Sequence, residues 1–414
     1  MYPLHCPIRD YDWGSPTLLP ALQDREPHGG PEAEMWLGAH PGAPAELELA
    51  DGSRLRLDDA VAEDPAGMLG AADTGTGRLP FLMKLLAAGQ ALSIQAHPNK
   101  AQAEAGFAAE EAAGIPRDAP HRNYRDDNHK PEMLLALTEF SALCGFRRPE
   151  EPAAAFDRLS QLLREHADGE VTEAAAAAER LAQLLQAEDI EASFTAILDP
   201  DSVWHRTGVD EAVAALEAMG GDLEVQDAAL MTAVELSRTY PGDPGVLVSL
   251  LLNRVDLMPG QAIHLPAGNV HAYLHGLGVE VMAASDNVLR GGLTSKHVDV
   301  AELQRVVTFL PLPVPYTTPE RVGEGRLDFR PPFGDFALIQ ITAPDGDAHA
   351  VELSGPVIAV VTEGTAALTH ADTTLEVATG HAVFLSAADT ASVPLHVQGR
   401  DGEATVHLAV CPQA

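Results

Sequence analysis

The segment Gly260-Gln-Ala-Ile-His-Leu-Pro266-Ala-Gly268-Asn-Val-His271 dictates its own backbone more firmly than any other part of this chain. Gly260 turns the chain into a short apolar strand. Pro266 and Gly268 close that strand in a tight turn, the glycine supplying a backbone angle that other residues avoid. His271 then opens a second strand, and the two-residue period puts Tyr273 and His275 on its face. An isolated histidine is usually a core or surface residue. One presented by this frame, at the start of an inward-facing strand, is placed like a metal ligand.

The spacing G-x5-P-x-G-x2-H resembles the second metal motif of the cupin jelly rolls. A metal needs further ligands, and two other segments offer them. Gln95-Ala-His97 ends the apolar run Ala91-Leu-Ser-Ile, read as a strand, so Gln95 and His97 project to one face. Amides are uncommon zinc ligands, which leaves Gln95 open on these grounds alone. Asp127-Asn-His129-Lys130-Pro131-Glu132-Met133 leads into another strand, where Asn128, Lys130 and Glu132 share a face and His129 points away. One carboxylate, two imidazoles and a neutral oxygen suit a borderline divalent ion such as zinc, with a position left for substrate. Such a site carries a charge of about +1, which favours a developing alkoxide or enediolate. Lys130, two residues from Glu132, faces the ion and suits proton transfer.

Around these segments the text of the chain changes character. Residues 1 to about 98 read as strands separated by Gly- and Pro-rich turns, followed by an Ala/Glu-rich helix from Asn99 to Gly114. From about 149 to 254, Leu, Ala and Phe recur at helical spacing. From 255 strands return, and the last stretch from Phe329 has short Val/Leu/Thr runs at sandwich or jelly-roll spacing. The expected fold is mainly β, with cupin-like jelly-roll domains and an inserted α-helical domain. Residues 1–148 and 255–328 would form the metal-binding domain, 149–254 the helical domain and 329–414 a second jelly roll. In that last domain Gly380-His-Ala-Val-Phe-Leu keeps part of the frame but not its Pro, Gly and ligand His, so it is expected to be metal-free.

Composition narrows the function. Lys plus Arg is 26 against 61 Asp plus Glu, a net charge of −35. That excludes wrapping nucleic acid or lying on an anionic membrane. Three scattered Cys, with no CxxC pair, point to a reducing cytoplasm, and no apolar run is long enough for a membrane helix. Only four of the 26 cations are lysines: Lys84, Lys100, Lys130 and Lys296. All four lie near the segments above, and none falls in the helical or final region, which makes them a map of a local cationic pocket.

Taken together, Tyr11-Asp-Trp13-Gly14, Glu34-Met-Trp36-Leu-Gly-Ala-His40-Pro41, Gln95-Ala-His97-Pro98, Asn128-His-Lys-Pro-Glu-Met133, Pro266-Ala-Gly268-x-x-His271-Ala-Tyr273 and Glu280-x-Met-Ala-x-Ser285-Asp-Asn-Val-x-Arg290 through Lys296 resemble type I phosphomannose isomerase, in order. The resemblance implies a zinc enzyme, one ion per chain, interconverting mannose 6-phosphate and fructose 6-phosphate through an enediol. It places the metal ligands on Gln95, His97, Glu132 and His271, the catalytic arginine on Arg290, and cations around the sugar phosphate on Lys100, Arg290 and Lys296. It also brings Lys130, Tyr273, Glu280 and Asp286 to the pocket. Lys130, Glu280 and Asp286 compete for the proton-transfer role, the two carboxylates having the alternative of structural ion pairs with Arg290 or Lys296. The expected partner is a phosphorylated sugar and the expected state a cytoplasmic monomer, without nucleic acid or membrane.

Two other readings compete. A non-catalytic sugar-binding cupin would not need all four ligand positions together with Arg290 and Lys296. An iron-dependent cupin oxygenase prefers two His and one carboxylate, so a fourth ligand and a basic surround argue for a redox-inert ion and an anionic substrate.

Overall fold

The computed structural model describes residues 1–73, 75–220, 227–391 and 393–412. Its strands fall into two antiparallel sheets of ten and eleven strands, and a run of helices interrupts the first. The ten-stranded sheet is organised around strand Phe81–Ala88, which pairs with Glu34–Leu37 on one side and with the long strand His271–Ala283 on the other. The long strand also pairs with Glu132–Ala136 and Phe140–Phe146.

Alternation along these strands sorts the side chains. Met35, Leu37, Phe81, Met83, Leu85, Met133, Leu135, Val279 and Val281 join an apolar core shared with Leu338, Ile358, Val360 and Phe384 of the second sheet. The intervening residues turn to the interior of the first sheet, and among them are Glu34, Trp36, Lys84, Glu132 and Glu280. Burying each large apolar side chain of the shared core contributes roughly 1.5–3 kcal/mol, which makes this core the main bond between the sheets.

The second sheet is built on the long strands Val357–His370 and Leu395–Val410. It also takes in Tyr2–His5, Glu46–Glu48 and Arg54–Arg56 from the chain's beginning. Sheet membership thus cuts across chain position. The N-terminal region contains short helices, Leu18–Leu22, Leu57–Glu63 and Pro65–Leu69, where only strands and turns were expected. The run Ala91–Ile94 is irregular, and pairing begins at Gln95–Ala96.

Between Phe140–Phe146 and Leu252–Leu257 the chain is helical. Helix Glu150–His166 has acidic residues in its first turn and basic ones in its last, matching its dipole. Its Phe156, Leu159 and Leu163 pack with Ala178, Leu181 and Leu185 of Glu173–Gln186, which the Thr172 side chain caps. The same core takes in Ile94, Leu289, Leu293 and Leu303, so the helices pack beside the segments that carry His97 and Arg290.

Candidate metal centre

The frame around His271 forms as its residues require. Gly260 and Gly268 have φ of +85° and +79°. A Cβ on Gly268 would lie 2.5 Å from the Thr308 hydroxyl, so glycine is needed there for space as well as angle. His271 is the first residue of its strand. His275, however, does not share its face: the register shifts between Tyr273 and His275, and His275 is exposed. One such irregularity inverts the alternation beyond it.

His97, Glu132 and His271 converge, all about 1% exposed. The Nε2 atoms of the two imidazoles each lie 3.3 Å from one oxygen of Glu132. Their Nδ1 atoms face backbone carbonyls, His97 at 2.8 Å from Asn287 O and His271 at 3.2 Å from Asn269 O. A carbonyl only accepts, so each Nδ1 carries the proton and donates it, and in the neutral ring Nε2 is a bare acceptor. Burial lowers the His97 pKa to about 4, so this ring is neutral near pH 7. The result is a cage of acceptors facing one another, and His97 Nε2 and Glu132 Oε2 have no hydrogen-bond partner. Such a set is costly when empty and fits a divalent cation held by two N and a carboxylate. The carbonyl bonds at Nδ1 are the outer support that orients imidazole ligands. The Gln95 amide stands 3.3 Å from His271 Nε2. Lys130 Nζ lies 3.3 Å from Glu132 Oε1, inside the same cluster. His129 points away, to Asp335 at 2.7 Å.

A second buried charge cluster adjoins the cage. Lys84 Nζ sits between Glu34 (3.2 Å) and Glu280 (2.9 Å), all three buried. Register places it there, since Lys84 is opposite both Trp36 and Glu280 on the flanking strands. Trp36 Nε1 donates to Glu34 at 2.7 Å. Burial works against the Lys84 ammonium, but the two carboxylates more than reverse this and hold it charged. Burial raises the Glu280 pKa, with Glu132 and Glu34 adding to the rise against Lys84. Glu280 and Asp286 therefore do not pair with Arg290 or Lys296. Glu280 is taken by Lys84, and Asp286 meets His40 at 3.2 Å near the rim. Tyr273 is fully buried beside Glu280, and burial and that carboxylate push its hydroxyl pKa well up.

The cations are arranged differently. Arg290 lies on strand Leu289–Arg290, opposite Gln95. Burial and the neighbouring Arg125 lower its pKa. Burial, Arg290 and Arg125 do the same to Lys296. Among the described residues these three make no ion pair, although the chain has a large excess of carboxylates. Like charges left together in an acidic protein are a place for an anion. Lys100 stands apart at the surface, its Nζ on Asp127 O at 2.8 Å.

Arg125, Glu34 and Asn287 carry parts of this site that the sequence reading gave no role. Asn287 is fully buried, accepts from Arg125 N (2.7 Å), and donates to Asp126 O and Asn128 O (both 2.8 Å). With its own carbonyl on His97, it ties the Arg125–Asn128 loop, the Arg290 segment and a cage residue together. Glu34 and Asn287 belong to the quoted motifs, whereas Arg125 lies outside them.

The chain is similar to known proteins over nearly its whole length. Residues 1–149 match the family model for the phosphomannose isomerase type I catalytic domain. A mannose-6-phosphate isomerase of Escherichia coli is 38% identical over 404 residues, covering 97% of each chain. That of Bos taurus is 33% identical over 433 residues, covering 96% of each. A crystal structure of a zinc-bound mannose 6-phosphate isomerase superposes with a TM-score of 0.86 at 36% identity, covering 100% of this chain and 99% of the other. A mutant phosphomannose isomerase from Salmonella typhimurium gives 0.87 at 35% identity, with full coverage of both. Relatives this similar over nearly their whole length share more than a β scaffold, and the chain belongs to the type I phosphomannose isomerase family.

Proposed function

We propose that this chain interconverts mannose 6-phosphate and fructose 6-phosphate, with one zinc ion held by His97, Glu132, His271 and Gln95. The observation that carries the reading is the cage in which two imidazole nitrogens and a carboxylate face one another with no hydrogen between them. When bound, zinc supplies a Lewis acid that polarises sugar oxygens.

The chain's own residues do the rest. Arg290 and Lys296, joined by Arg125, hold the phosphate, the forked guanidinium of Arg290 also being suited to an enediolate oxygen. Lys100, which the resemblance also assigns to the phosphate, lies apart at the surface beside Glu104 and Asp127. Lys130, Glu280 and Asp286 are the groups for moving a proton between C1 and C2. Their partners rank them: Glu280 is tied to Lys84 and Asp286 to His40, while among the described residues the ion pair of Lys130 is with the cage carboxylate. Lys130 is therefore assigned the transfer, with Glu280 and Tyr273 shaping the buried wall behind it.

Zinc-dependent conversion of purified protein tests the reading, with mannose 6-phosphate as substrate and glucose 6-phosphate as control. Turnover of the first that chelation abolishes is expected, and its absence overturns the assignment. Deuterium at C2 should pass partly to C1 and partly to solvent, as an enediol requires. Quantitative transfer, insensitive to chelation, would point to another path. No helix among the described residues is long and apolar enough to cross a membrane. The reading places the enzyme in the cytoplasm as a monomer, a state that sedimentation measures directly.

A further inference from the structure

We infer that Asp243, a residue of the helical insertion, positions the loop that brings Lys296 beside Arg290 for the substrate's phosphate. The inference rests on the reading of that cationic group given above.

The loop leaves the catalytic sheet at Arg290. Its root is fixed there: Gly291 N donates to Ile94 O at 2.8 Å, and Ile94 N donates to Gly292 O at 3.0 Å. Beyond the root the next polar support comes from Asp243. Its Oδ1 accepts from Gly245 N (2.7 Å) and Leu293 N (2.9 Å), and its Oδ2 from Thr294 N (2.9 Å). Thr294 Oγ1 in turn accepts from Lys296 N at 3.1 Å. A line of hydrogen bonds thus runs from the helical insertion to Lys296.

Backbone packing independently marks the same contact. A Cβ on Gly245 would lie 2.5 Å from Leu293 N, and one on Gly292 would lie 2.5 Å from Gly245 Cα. Two glycines let the insertion and the loop touch main chain to main chain. Leu293 has φ of +53°, a conformation a leucine keeps only under outside constraint. Its side chain is buried in the helical core while its N–H is held by Asp243, which supplies that constraint. The helices therefore set the aim of Lys296, while Arg290 is held on the sheet by its pairing opposite Gln95.

Asp243→Ala removes all three acceptor contacts, and Asp243→Asn keeps one carbonyl oxygen. In the zinc-loaded full chain, Asp243→Ala should raise KM for mannose 6-phosphate about tenfold, and the inhibition constant of inorganic phosphate in parallel. Zinc content should stay at the wild-type value, and Asp243→Asn should fall between. A lowered melting temperature with wild-type KM and phosphate inhibition in both variants would show a purely structural anchor and overturn the inference. If Asp243→Ala does not fold, Asp243→Asn alone decides: wild-type constants in it overturn the inference, raised ones support it. Wild-type protein that fails to convert mannose 6-phosphate with zinc would instead sink the functional reading, before any variant is made.

Discussion

The two sheets of this protein share one apolar core, but their other faces differ, the first gathering buried charges beside an apolar cluster of Leu86, Leu134, Phe140 and Tyr273. The interior of the ten-stranded sheet gathers Glu34, Lys84, His97, Lys130, Glu132, His271 and Glu280, all buried. The corresponding face of the eleven-stranded sheet is hydrocarbon: Ile339, Ile341, Val357, Val361, Leu368, Val397, Val406 and Leu408. Both are made by strands with the same two-residue alternation. What differs is cost. Hydrocarbon interiors stabilise by being dry, whereas buried charges cost several kcal/mol each unless paired. Carboxylates outnumber ammoniums by one in the first interior, and the bare His97 nitrogen adds to the imbalance. The first sheet carries an arrangement that a divalent cation completes, and the second supplies apolar burial to hold it.

The comparison can be broken at its strongest point by His271→Ala. This should lower kcat/KM by about a thousandfold, with zinc lost and circular dichroism near wild type. Stoichiometric zinc in this variant would remove His271 from the ligand set.

A smaller effect, on stability, is expected from Lys84→Met. Glu34 and Glu280 would be left buried without their cation, costing about 3–5 kcal/mol in urea unfolding. A cost under about 1 kcal/mol would mean that the two carboxylates do not depend on Lys84 and that the charged interior is less tightly balanced than its geometry implies.

On the hydrocarbon side, Ile341→Val should cost about 1 kcal/mol and leave kcat/KM unchanged. Isomerisation assayed alongside unfolding checks both halves. A loss of activity at wild-type zinc content would show that the second sheet takes part in the chemistry.

The smallest effect is a pH dependence in the second sheet's domain. Burial raises the Asp389 pKa, but hydrogen bonds from Ser386 and the N-terminal ammonium prevail and lower it. Its stabilisation is therefore present above the unfolded carboxylate pKa of about 3.9 and is lost as pH falls below that value. Asp389→Asn should flatten this acid-side slope by under about 1 kcal/mol, since the pair is partly exposed. An unchanged slope between pH 5 and 3 would remove the assignment.

Much of the site was legible because its geometry is local. Gln95 and His97 lie two residues apart, as do Lys130 and Glu132, and the Gly268 turn delivers His271 to a strand start. Each follows from strand period or turn chemistry over a few residues. The errors also have local causes. His275 was misplaced because a register shift carries no signature in the strand's own residues. Ala91–Ile94 reads as a strand from its apolarity, but its backbone bonds, from Leu92 to Tyr273 and between Ile94 and Gly291–Gly292, form no regular ladder, and Ala91 and Ile94 pack on the helices. Glu280 and Asp286 were given the wrong alternative partners because sequence nearness to Arg290 and Lys296 outweighed the unseen Lys84 and His40.

The sequence by itself determined the β-rich class, the helical interruption, the residues that face the cage and the family. All of these rest on periodicity, glycine and proline geometry, and ordered motifs. Only the tertiary structure decided which charges meet. Lys84 is fifty residues from Glu34. It is also far along the chain from Glu280, Asp243 is fifty residues from Leu293, and Tyr2–His5 pairs with Ala382–Leu385 at the other end of the chain. Such contacts are set by strand register and by how two sheets and a helical layer close on a common core. Register across hundreds of residues is a property of the whole packing, which no local pattern encodes.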